Sequence, residues 1–123
     1  MSNILTADLL FKAKVVNLIL SEDTEEALEM LVQYYKVAKL NLRVGMPKGY
    51  SKKPACYVAK TRTIYVSEGE VLRNPRVILH EFYHHLRTVG DEKHKGTEKY
   101  ANKFAKEFVE AYKSISNAQA VEN

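Results

Sequence analysis

Residues 80–84 read His80-Glu81-Phe82-Tyr83-His84, and this spacing constrains the fold more tightly than any other stretch of the chain. On an α-helix, residues four apart project from nearly the same side, so two imidazoles placed there can reach one metal ion at Zn–N distances of about 2.0–2.1 Å. Glu81 stands about 100° further round the helix, close enough to act on a water molecule at the metal without being a ligand. Leu79, Phe82, Leu86 and Val89 fall roughly opposite the two histidines, so the same helix has a face to bury while its other face lines a cleft. Pro75 is well placed as its first residue.

Two histidines do not complete a catalytic site, which takes three protein ligands and one open position. A metzincin continuation would need a Gly and a third His at fixed offsets after His84, and Arg87 and Gly90 stand there instead. The next candidate ligand is Glu98. It opens a segment in which Ala101, Phe104, Ala105, Phe108, Val109 and Tyr112 recur at helical spacing. Small residues at 101 and 105 let this second helix approach the first closely enough for the carboxylate to reach the metal. Asn102, one turn beyond Glu98, is placed to hydrogen-bond the second nitrogen of a ligating imidazole. Residues 90–97 read as a loop, with Gly90 as a helix C-cap and Thr97 as an N-cap.

This double motif, His80-Glu81-x-x-His84 followed by Glu98-x-x-Ala101-Asn102-x-Phe104-Ala105, resembles the gluzincin metallopeptidases. The likeness is to the ImmA/IrrE-type domains and the minigluzincins, over roughly residues 55–109. It implies a minimal zincin-like fold of the α+β class: a small, mainly antiparallel sheet packed with an active-site helix, a glutamate helix and N-terminal helices. It also implies one zinc ion held by His80, His84 and Glu98, with Glu81 as general base toward a metal-activated water and Asn102 supporting a ligand from behind. The implied activity is zinc-dependent endopeptidase cleavage of a protein or peptide held as an extended strand along the 55–66 hairpin. The sequence departs from the ImmA/IrrE pattern before the second histidine, where a small residue is usual and Tyr83 stands.

The competing reading is a regulatory protein-binding domain that keeps the metal-site fold without turnover. A purely structural zinc module is disfavoured by Glu81, for which such a site has no use. Tyr57, Tyr65, Tyr83, His85, His94 and Tyr100 are the candidate donors to a developing oxyanion. Resemblance to minigluzincins also raises latency, with a terminal segment lying in the cleft and Asp8 or Glu122 supplying a carboxylate.

The remaining chain reads as one domain over 1–123, with an extra N-terminal helix in 1–20 and a flexible tail over 114–123 after a helix exit at 114–117. Leu9, Leu10, Ala13, Val16, Ile19 and Leu20 line one face of the first helix. Asp23 and Glu26 form a capping-box pattern before a second helix that runs to about Lys39, buries Ala27, Leu28, Leu31, Tyr35 and Ala38, and faces the sheet. Residues 40–44 alternate as a strand, and 55–59 and 63–66 form a hairpin around Lys60-Thr61-Arg62. Tyr34, Tyr35, Phe104, Phe108 and Tyr112 are core and core-rim residues.

No run of about 18 apolar residues is present and the first residues lack a signal-peptide pattern, so neither a membrane partner nor export is expected. The single Cys56 reads as a small buried strand residue and fits a reducing, cytoplasmic setting. The net charge of +4 is dispersed among acids, and Lys48, Lys52 and Lys53 sit in a Gly/Pro-punctuated loop, so no nucleic-acid partner is expected. His85 is expected at the border of the buried face, packed rather than catalytic, and His94 in solvent.

Overall fold

A computed structural model describes the backbone of residues 6–90 and 97–122 and the side chains of 6–89 and 98–117. Helix α1 spans Ala7–Leu20, α2 Thr24–Tyr35, α3 Pro75–Gly90 and α4 Thr97–Glu122; strands β1, β2 and β3 span Asn41–Val44, Ala55–Val58 and Thr63–Val66. The fold is α+β. Among the described residues, no helix is long and apolar enough to cross a membrane.

The Thr6 hydroxyl starts α1 by accepting the Leu9 N–H at 3.1 Å. The buried stripe of α1 is Ala13, Val15, Val16 and Ile19, whereas Leu10 and Leu20 are exposed. This corrects the expected face. Because α1 packs along both α2 and α4, the stripe centres on Val15 and Val16, and the two leucines fall at its margins. Far from being an appendage, α1 contributes Val15, Val16 and Ile19 to the same apolar cluster as Ile64, Phe82 and Phe108.

Asp23 occupies the N-cap of α2 but makes no side-chain cap hydrogen bond, so the capping box does not form. Thr24 instead donates its hydroxyl to the Leu72 carbonyl and ties the helix start to the 3₁₀ turn Gly69–Arg73. The helix stops at Tyr35, short of Lys39, because Lys36 turns left-handed at φ 56° and closes the end on Val32. Its main neighbour is α1 rather than the sheet.

The sheet runs β1-β3-β2, with β1 parallel and β2 antiparallel to β3. It is therefore mixed, where a mainly antiparallel sheet was expected. The hairpin between β2 and β3 forms as the sequence suggests, through the turn Ala59–Thr61 and a left-handed Arg62. The 45–54 loop leaves β1, steps past β3 and starts β2 on the far edge, which puts β3 in the centre and makes β1 run alongside it. Gly45, at φ 113°, begins that departure.

Pro75 does open α3, with the Asn74 side chain accepting the Val77 N–H at 3.3 Å. Ile78, Leu79 and Phe82 are fully buried and Tyr83 nearly so, since α3 packs on α4 and on β2. Leu86 and Val89 are only half-buried. Helix α4 has 26 residues, about 39 Å of rise, and continues through the exit expected at 114–117. Residues 97–122 contain neither Gly nor Pro, so nothing local ends the helix. Its buried stripe is Ala101, Ala105, Phe108 and Ala111, and the small residues set the close approach to α3 and α1.

Candidate metal centre

The four-residue spacing on α3 aims His80 and His84 at one point, and the first turn of α4 brings Glu98 to it. The His80 and His84 Nε2 atoms lie 3.3 Å apart. Glu98 places Oε1 2.8 Å from His80 Nε2 and Oε2 3.5 Å from His84 Nε2. A tetrahedral ion with bonds of about 2.0–2.1 Å holds neighbouring donors about 3.3–3.4 Å apart. One ligand atom from each of the three side chains lies within 4.8 Å of the others, close enough to converge on one ion after small side-chain shifts.

Asn102 decides which histidine nitrogen is free. Its Oδ1 lies 2.8 Å from His80 Nδ1, so Nδ1 donates there and Nε2 is the nitrogen that faces Glu98 and His84. A hydrogen on Nε2 satisfies the 2.8 Å contact with Glu98, and a bound metal ion would take the place of that hydrogen. Two imidazole nitrogens and one carboxylate oxygen suit a single metal ion of borderline softness.

Glu81 lines the same cleft, one residue round from His80. Burial pushes its carboxyl above the usual range; the His80 charge and a backbone hydrogen bond from Tyr57 act against this, and the Glu98 charge acts with it. Burial also holds His84 below the ordinary histidine value. Cys56, on β2, faces the cleft, and burial, followed by the Glu81 charge, pushes its thiol up. It is not part of the group formed by His80, His84 and Glu98.

The expected metal residues, the base and Asn102 come together, and the list of oxyanion donors contracts. The Tyr57 hydroxyl is 2.6 Å from His85 Nδ1, and His85 is itself fully buried rather than at a border. Tyr83 is buried with its ring 5.3 Å from that of Phe104, filling the α3–α4 contact where the resembling pattern has a small side chain. Tyr100 is exposed and Tyr65 sits on the central strand. His94 lies outside the described residues. Tyr50, which the sequence reading passed over, lines the cleft from the 45–54 loop. No spacing signal could have found it, because its place depends on how that loop crosses the sheet.

Among the described residues, no part of α1 and nothing beyond Asn102 lines the cleft. Asp8 is engaged elsewhere: its carboxylate accepts the Tyr34 hydroxyl at 3.1 Å and pairs with Lys12 at 3.3 Å. Residues 1–5 and the Glu122 side chain lie outside the described set. Comparison with protein-family models, with curated proteins and with solved structures found no match to this chain.

Proposed function

We propose that the chain is a zinc-dependent metalloendopeptidase of gluzincin type on a minimal zincin-like fold. The observation that carries this reading is the convergence of His80, His84 and Glu98 on one point, with Asn102 orienting His80 and Glu81 beside them in one cleft. Those three side chains would hold one zinc ion. Zinc supplies Lewis acidity there, making water a competent nucleophile near neutral pH and polarising the scissile carbonyl.

Glu81 takes the proton of the attacking water and delivers it to the leaving amine, so the carboxylate is regenerated in each cycle. A carboxyl raised by burial is suited to both halves of that exchange. Substrate pairs with the outer edge of β2. Because Pro54 accepts the Ser67 N–H and the ladder alternates, Cys56 and Tyr65 form the bonded pair, and the backbone groups of Ala55 and Tyr57 point outward. The Tyr57 N–H is engaged by Glu81, which leaves the Ala55 N–H and both carbonyls for an extended peptide.

Metal content and peptide cleavage, measured together for wild type and Glu81→Gln, test the reading. About one zinc per chain is expected in both, with cleavage only in wild type. Zinc binding without cleavage in wild type would favour the non-catalytic binding domain, and absence of zinc would remove the metal reading.

A further inference from the structure

Helix α3 carries a second polar pair four residues apart, Glu81 and His85, one position round from His80 and His84. Both members hold the same residue of the edge strand. Glu81 accepts a backbone hydrogen bond from Tyr57, and His85 Nδ1 lies 2.6 Å from the Tyr57 hydroxyl. On its other side, His85 Nε2 lies 2.7 Å from the Ala38 carbonyl oxygen, in the link between α2 and β1. A carbonyl only accepts, so Nε2 carries the hydrogen, Nδ1 of the neutral ring presents a lone pair, and the Tyr57 O–H donates to it.

Every direction in this chain is therefore set, and the Tyr57 hydroxyl is not free to serve a substrate. An apolar side chain could fill the buried place of His85 without requiring two partners. The imidazole ties together three segments: the α2–β1 link, α3 and β2. The strand it holds is paired on one side only, with β3, so the position of its outer edge is set by what α3 grips.

We propose that His85 is a positioning residue: through Tyr57 it fixes the outer edge of β2 and, by the Tyr57 N–H, the Glu81 carboxylate beside His80 and His84. The His85 contacts to the Tyr57 hydroxyl and the Ala38 carbonyl stand on geometry, and the catalytic meaning of the clamp rests on Glu81 being the base, as proposed above. Small displacements of a reacting group cost large factors in rate, so loosening Tyr57 acts on turnover more than on substrate affinity.

Two variants break the same bond from opposite ends. His85→Leu fills the buried place without either nitrogen, while Tyr57→Phe keeps the ring and loses the hydroxyl. Amide hydrogen exchange at residue 57 is read by NMR with and without added zinc, and kcat and KM are measured on a peptide. In both variants exchange at residue 57 should quicken on the order of fivefold, the value for one lost hydrogen bond, with Cys56 unchanged. The kcat should fall about tenfold at little-changed KM, and the double variant should match the single ones. Unchanged exchange at residue 57, or a rise shared equally across β2 and β3, would overturn the clamp. If the amide responds but wild type cleaves nothing, the clamp stands and the endopeptidase reading falls. If wild type cleaves and both variants keep kcat within about twofold, the positioning role falls.

Discussion

Glu98→Ala should separate metal binding from folding. The Glu98 side chain is 76% exposed, so its truncation removes no core contact. The cost to the metal-free protein is that of losing an acid from the first turn of α4 and its exposed contact with His80, about 1 kcal/mol. At the candidate metal centre the same change would delete one of the three proposed protein donors. Zinc sites with four protein ligands bind with about 10–16 kcal/mol, or about 3 kcal/mol per ligand, so the variant should bind zinc about a hundredfold more weakly.

That loss is visible in thermal melts. At free zinc about 100 times the wild-type Kd, linkage stabilises wild type by about 2.7 kcal/mol and the variant by about 0.4 kcal/mol. For a chain of 123 residues the gap corresponds to about 7–9 °C in Tm. Chelator competition measures Kd, and melts with and without zinc measure the rest. A Kd within about threefold of wild type would refute Glu98 as the third ligand. A metal-free melt that drops as far as the zinc-loaded one would show that Glu98 supports the fold instead.

Asn102→Ala removes the 2.8 Å contact to His80 and should weaken zinc binding about 10–100-fold while the absorption spectrum of the cobalt-substituted protein keeps the same ligand set. The Cys56 thiol, pushed up chiefly by burial, should resist iodoacetamide in the folded protein up to a higher pH than an ordinary thiol and react quickly in urea. Since its folded pKa lies above the unfolded one, its contribution to stability is complete below the unfolded value and declines as pH rises through the folded one. Alkylation rates for folded Cys56 that follow the free-thiol pH curve would contradict this burial.

Local periodicity carried the site because its parts are local. The two imidazoles lie on one turn of α3, and Pro75 and Asn74 mark where that helix begins. Glu98 and Asn102 are likewise one turn apart at the start of a helix whose small residues already show how closely it packs. The failures have a shared origin. Leu10 and Leu20 were assigned to a buried face because apolar spacing cannot say how many neighbours a helix has, and α1 has two on different sides. The end of α2 was set by a left-handed Lys36 that no Gly or Asn announces.

The sequence by itself determined the helix that bears His80, Glu81 and His84, the second helix that brings Glu98 and Asn102, and the hairpin beside them, because each is written in residues within a turn or a hairpin of one another. Only the tertiary structure decided the parallel pairing of β1 with β3, the entry of Tyr50 into the cleft and the hydrogen-bond partners of His85. The partners of His85 stand 28 and 47 residues away along the chain. A buried imidazole reads in sequence as one more residue near an apolar face, and only packing shows which carbonyl and which hydroxyl meet its two nitrogens.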